Sequence, residues 1–278
     1  MFVNKTLLSR EGIPLPRADW TWEDFLRICR AVTRDTDGDG VIDQYGCYDL
    51  NWREAAVMND CALFREDGRS ISLTGRDMSE TIEFLRELNG LTGGYEVTAR
   101  DFDLGRVAFR PLDFAQYRTY QPYPWRIKKY STFDWECVPM PRGPSGMGAG
   151  AAPMQTLLAA MSARTREPEL AWDLLKELTN EENGRFLLKE AAGLPSRRDV
   201  LQSQTAAETL SGELPGGILD TATLARVMES GRMPPRFPRY EDAMMRVDNG
   251  IERILRDDQF HSEDLSRLQR EINVYLSR

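Results

Sequence analysis

The sequence holds 278 residues, 41% hydrophobic and 29% charged, with a formal charge of −8. That balance suits one large core or two modest ones and excludes disordered and fibrous classes. An acidic surface repels nucleic-acid phosphates, and no apolar run approaches the roughly 20 residues that span a bilayer.

Met1-Phe2-Val3-Asn4-Lys5 lacks the charged-then-apolar pattern of a secretory signal, which taken alone points to the cytoplasm. Thr21, with Asp24 three residues on, predicts a capped helix whose face carries Phe25, Ile28, Cys29 and Val32. Met78, Ile82, Leu85 and Leu88 predict a second helix, stopped by Gly90. Strand-like runs cover Arg106 to Phe109, Trp135 to Met140 and Met154 to Met161, and the Gly/Pro-rich stretch Pro139 to Pro153 reads as a surface loop. A helix is expected from Pro168 through Leu170, Ala171, Leu174, Leu175 and Leu178. Thr179 and Glu182 suggest a capping box ahead of Phe186 and Leu187. Val247, Ile251, Ile254 and Leu255 mark one late helix, and Leu265, Leu268, Ile272 and Tyr275 another. The whole reads as α/β with more helix than strand. The cysteines Cys29, Cys47, Cys61 and Cys137 show no CxxC pair or metal-ligand spacing, so redox compartment is open.

The sharpest local motif is Asp35-x-Asp37-x-Asp39-Gly40-x-x-Asp43. It sets side-chain oxygens at loop positions 1, 3, 5 and 9, Gly at 6 for the turn, and the Val41 carbonyl at 7, as a calcium loop does. Position 12 is Gly46 instead of a bidentate Glu, so one strong ligand is absent. The competing reading is an Asp/Gly-rich loop that only turns the chain. If calcium binds, its role is structural. No other cofactor is required. Catalysis has little support: the lone histidine, His261, reads as a helix-start residue, so no Ser/His/Asp triad or His-based metal site can form.

Several segments together resemble the family 1 extracellular solute-binding proteins. They are Asn4-Lys5, Glu11-Gly12-Ile13-Pro14-Leu15-Pro16, Trp20-Thr21-Trp22-Glu23-Asp24-Phe25, and the Asp35 to Gly40 loop with Asp43-Gln44-Tyr45-Gly46. The series continues through Gly105 to Phe109, Trp135 to Pro144, Leu170 to Thr179 and Gly193-Leu194-Pro195-Ser196-Arg197-Arg198, so the likeness spans nearly the whole chain. The resemblance implies a helix-rich α/β periplasmic-binding-protein-like fold of type II, two lobes that close like a clamp. It implies a C-terminal lobe over 1–153, a partial N-terminal lobe over 154–203, and helices over 204–278 that return to the C-terminal lobe. Relatives carry a signal and a first βαβ region ahead of the asparagine-lysine motif. The resemblance therefore reads this chain as N-terminally truncated, with the first part of the N-terminal lobe missing.

A sugar presents flat C–H faces and a rim of hydroxyls, so a cleft for it needs aromatic platforms edged by polar groups. In relatives the segment after the Val107 to Phe109 strand carries stacking aromatics, which implies ligand contacts at Phe114, Tyr117 and Tyr120. Trp52 is a further candidate platform, and Arg118, Gln121 and Asn51 are candidate edge donors. The competing reading is that large aromatics fill the core, which fits Tyr123 and Trp125 beside their prolines. The resemblance implies a non-enzymatic component of a carbohydrate ABC importer that binds a sugar or oligosaccharide reversibly. Its partners are the permease subunits, and its full-length parent is extracellular, membrane-anchored or periplasmic. The alternatives are a carbohydrate-active enzyme and a calcium-stabilised carbohydrate-interaction module.

Overall fold

Phe2 and Val3 are neighbours on one strand, and successive strand residues face opposite sides of a sheet. In the computed structural model they feed two separate apolar clusters, Val3 that of Phe25, Ile82 and Ile251, and Phe2 that of Phe102, Phe133 and Trp135. The structure describes residues 1–113, 133–147, 150–190, 194–211, 217–218, 221–257 and 259–278, without the side chains of 209–211, 217–218 and 221–224. Five strands form the sheet, β1 (Phe2–Asn4), β2 (Tyr45–Cys47), β3 (Val107–Arg110), β4 (Trp135–Cys137) and β5 (Gly217–Ile218), in the order β2-β3-β1-β4-β5. β2 runs parallel to β3 and β4 to β5, while β1 is antiparallel to both β3 and β4. Four strands therefore point one way and β1 alone points the other.

The larger cluster lies under helices whose stripes the sequence displays. α1 is Lys5–Arg10 and α2 is Trp22–Val32. Thr21 and Asp24 close a reciprocal capping box on α2, which buries Phe25, Ile28, Cys29 and Val32. After α3 (Trp52–Met58), α4 (Arg76–Gly90) buries Met78, Ile82, Leu85 and Leu88. A short α5 (Ala99–Asp103) precedes β3.

The stretch from Pro139 to Pro153 departs from the surface loop expected. Pro139, Met140, Pro141, Gly143, Gly146, Gly150 and Ala151 are buried. Backbone bonds strap it down: Arg142 N–H donates to Trp20 O at 2.9 Å and Gly143 N–H to Met58 O at 3.0 Å. Asn59 adds a side-chain anchor, its Oδ1 accepting from Ser145 N–H at 2.8 Å. Irregular backbone is tolerated inside because its polar groups find these partners.

The second half of the chain differs more. Met154 N–H still pairs with Arg232 O at 2.8 Å. From Gln155 to Met161 the chain is exposed, and it forms no strand among the described residues. α6 (Pro168–Leu178) starts at its proline as expected, yet its apolar stripe buries no residue. α7 (Glu181–Glu190) is capped not by Thr179 but by Asn180, whose Oδ1 accepts from Asn183 N–H at 2.8 Å. The Thr179 hydroxyl turns back to Leu175 O instead.

Next come α8 (Arg198–Leu201), α9 (Gln204–Ser211) and α10 (Thr221–Ser230). Leu188 of α7, Leu201 of α8 and Ala206 of α9 join Phe2, Phe102, Phe133 and Trp135 in the smaller cluster. From the segment 154–203, expected as a partial N-terminal lobe, Leu188 and Leu201 are the buried residues that join this cluster. α11 (Tyr240–Arg256) and α12 (Ser262–Leu276) return to the larger cluster through Val247, Ile251, Ile254, Leu265, Leu268 and Ile272. His261 starts α12, its N–H donating to Asp264 Oδ2 at 3.3 Å.

Candidate functional site

The codirectional strands β2, β3 and β4 end along one edge, where ligands of open α/β sheets ordinarily lie. The chain leaving β2 there is Tyr48-Asp49-Leu50-Asn51, and the chain leaving β3 begins at Arg110. Asp49 adopts φ +66°, a left-handed conformation that Asp tolerates better than most residues. That turn brings its Oδ2 to 3.3 Å from the Arg110 guanidinium. The guanidinium carbon lies 4.8 Å from the Tyr48 ring centroid and 5.3 Å from that of Phe102. Two aromatic faces thus hold a cation whose side chain is 12% exposed, beside a carboxylate whose side chain is 47% exposed. The pair offers a ligand both donors and acceptors from one spot.

Asn51 follows as the cap of α3, its Oδ1 accepting from Arg53 N–H at 2.9 Å and Glu54 N–H at 3.1 Å. The cap engages the carboxamide oxygen of Asn51, the residue expected as an edge donor. Glu54 reciprocates by accepting from Asn51 N–H at 3.0 Å. Burial pushes its carboxyl up to about 7, and the Asp49 charge acts in the same direction. All four cysteines are free thiols, and burial raises each of them above the usual range.

Trp52 is corrected from a ligand platform to a core residue. It is 5% exposed, lies in the larger cluster, and its indole N–H donates to Asp248 Oδ1 at 3.0 Å. The other expected ligand residues, Phe114, Tyr117, Arg118 and Tyr120, lie outside the described residues, as do Gln121, Tyr123 and Trp125. The sequence reading passed over Tyr48, Asp49 and Arg110. Their signal was positional: Tyr48 and Asp49 are the first two residues after β2, and Arg110 ends β3, the strand ends that the rule for open sheets would single out.

The Asp-rich loop forms a second, separate cluster. Asp35 accepts from Gly38 N–H and Gly40 N–H, both at 2.7 Å, which holds its carboxyl below the usual range. Gly40 sits at φ +89°, where a side chain would be strained. Oxygens of Asp35, Asp37 and Asp39 lie within 4.8 Å of one another. Asp43 is outside this group, because its carboxylate accepts from Thr36 N–H and Oγ1, each at 2.9 Å. Val41 N–H donates to Asp39 Oδ1 at 2.8 Å. Three hard carboxylates on a turned backbone are a donor set suited to Ca2+.

No protein-family model matches this sequence, and no curated protein does. Solved structures do match. The sugar-binding protein MalE of Xanthomonas citri is 19% identical with a TM-score of 0.74, over 99% of this chain and 68% of that one. An ABC substrate-binding protein from Listeria monocytogenes, in complex with cycloalternan, is 16% identical with a TM-score of 0.71, over 99% and 68%. UgpB of Mycobacterium tuberculosis, in complex with glycerophosphocholine, is 17% identical with a TM-score of 0.69, over 100% and 68%. The class is thereby defined. This chain has the α/β fold of the MalE-like, two-lobed periplasmic-binding proteins, and it spans about two thirds of each neighbour's length.

Proposed function

We propose that the chain is the substrate-binding component of a carbohydrate ABC importer. It takes up a sugar or oligosaccharide reversibly at the edge where β2, β3 and β4 end, and it does no chemistry on it. The observation that carries this reading is the likeness in fold, over 99% of the chain, to a sugar-binding MalE and to an ABC substrate-binding protein holding cycloalternan. The polar pair and aromatic rings at the strand ends supply the chemistry such a ligand needs. Closure around the ligand selects the conformation that permease subunits accept. The carrying protein acts outside the cytoplasmic membrane, held there as a lipoprotein or free in the periplasm. No described helix is long and apolar enough to cross a membrane.

Calorimetric titration with a panel of oligosaccharides, run beside an assay for released reducing ends, tests this reading. Saturable binding without hydrolysis is expected. Hydrolysis would replace it with the carbohydrate-active enzyme. The second proposal concerns the Asp-rich loop, which we assign a structural Ca2+ held by Asp35, Asp37 and Asp39 with the Val41 carbonyl. It is supported by the convergence of the three carboxylates.

A further inference from the structure

We infer, from the fold rather than from any ligand, that residues 155–178 are a docking surface. They form an unpaired strand segment and an uncovered helix that fit the sheet of the fold's second lobe.

Leu157-Leu158-Ala159-Ala160-Met161 is a continuous apolar run, the pattern of a strand covered on both faces. All five residues are exposed, and no backbone group from Gln155 to Met161 is hydrogen-bonded among the described residues. Two bonds fix only the start of the segment. Met154 N–H donates to Arg232 O at 2.8 Å, and Thr156 Oγ1 accepts from the Arg236 guanidinium at 2.9 Å. Residues 162–167 then lead into α6, a connection as short as those within one strand–helix unit. Leu170, Leu174 and Leu178 share a face of that helix at four-residue spacing, and all three are exposed. A strand without a sheet edge and a helix without a sheet face are two parts of one α/β layer. One occupant satisfies both, a sheet with a free edge beside 155–161 and an apolar face beneath α6.

The described strands make a single sheet, β2-β3-β1-β4-β5, whereas the fold has two lobes. Each solved neighbour is matched over 68% of its length, so about a third has no counterpart in this chain. The second sheet belongs to that third of the fold, and a polypeptide carrying it is the occupant. A second copy of this chain fits less well. It offers one more strand of the same kind, and two strands alone make a marginal sheet.

The test compares the chain produced alone with the product of its own locus. The locus is expressed with the DNA upstream of the Met1 codon retained and a tag after Arg278. Hydrogen exchange is followed on peptides covering 155–161 and 168–178. Alone, 155–161 should exchange at the rate of an unstructured peptide. In the locus product, mass spectrometry should find an added segment, fused or associated, and exchange of 155–161 should slow about a hundredfold or more. Leu158→Glu and Leu174→Glu should leave the unfolding midpoint of the chain alone unchanged, since both side chains are exposed there, and should abolish that protection. A locus product without an added segment, or with one that leaves 155–161 exchanging freely, overturns the inference. Protection that survives both substitutions places the contact elsewhere and overturns it too. So does protection in the chain alone that rises with its concentration, which would make a second copy the occupant. None of these outcomes bears on the sugar titration, so the importer reading stands or falls separately.

Discussion

Trp52 and Asp248 stand 196 positions apart in the chain, and the indole N–H of one donates to a carboxylate oxygen of the other at 3.0 Å. The same Asp248 Oδ1 accepts from Arg53 Nε at 2.8 Å, and Oδ2 pairs with the Arg53 Nη2. One carboxylate on α11 therefore fixes the first turn of α3, whose cap Asn51 lies two residues past Asp49 at the binding edge.

Asp248→Ala should accordingly destabilise the fold. It leaves a largely buried indole N–H without its acceptor and Arg53 without its counter-charge, a loss of about 1–3 kcal/mol. Asp248→Asn keeps an acceptor for Trp52 and should cost less. Trp52→Ala removes a large ring from the core and should cost about 3–5 kcal/mol. Urea unfolding midpoints for the three variants rank them. A Trp52→Ala variant as stable as the parent would return the ring to the role of a ligand platform.

A second expectation comes from the approach of β2 to α2. A Cβ added at Gly46 would lie 2.5 Å from Cys29 Cβ and 2.7 Å from Cys29 Cα. Backbone cannot yield as a flexible side chain does, so Gly46→Ala should cost about 1–3 kcal/mol. Because the clash includes Cα, shortening Cys29 to Gly in the same chain should restore only part of the loss. Thermal unfolding of the single and double variants checks both statements.

How much of this was legible beforehand depended on the length of the signal. α2, α4, α11 and α12 each run 11 residues or more, so their apolar stripes repeat often enough to be read. β1, α1, α3 and α5 span six, seven or fewer residues and were not anticipated, since a single turn carries no period. α6 shows the converse limit. Its stripe predicted a helix correctly, but periodicity cannot say whether a neighbour covers it, and here Leu170, Leu174 and Leu178 are exposed. At the binding edge, Trp52 drew attention as an aromatic, while its partner Asp248 could not be inferred from local sequence. Asp49 and Arg110 became neighbours only through the parallel pairing of β2 and β3.

Glu54 gives the molecule a pH dependence with a defined sign. Its carboxyl titrates at about 7 in the folded protein against an ordinary value of 4.5, chiefly because of burial. A raised folded value means the stabilisation is fully present below the unfolded value and is lost as pH rises through the folded one. Stability should therefore fall between pH 4.5 and about 7 by a component that Glu54→Gln removes. Unfolding midpoints of parent and variant across that range should converge at low pH and separate as pH rises. Parallel curves would mean that Glu54 is solvated.

The Asp-rich loop makes the last expectation, and the divided fate of its carboxylates sharpens it. Asp35, Asp37 and Asp39 face one another within 4.8 Å, whereas Asp43 is tied to Thr36. Without a cation the three like charges repel, and a divalent ion relieves that repulsion while gaining oxygen ligands. Protein stripped by chelator should thus melt at a lower temperature, and Ca2+ at a hundred times its dissociation constant should restore about 2.7 kcal/mol. Asp37→Asn and Asp39→Asn should abolish the Ca2+ response while relaxing the repulsion, so these variants should be no less stable than the stripped parent. Asp43→Asn should keep the response, because its oxygens bond Thr36 rather than the cluster. Identical melting curves in chelator and in Ca2+ would leave the loop as a turn and nothing more. A response lost in Asp43→Asn would instead bring the ninth loop position into the coordination sphere, as the spacing from Asp35 to Asp43 first suggested.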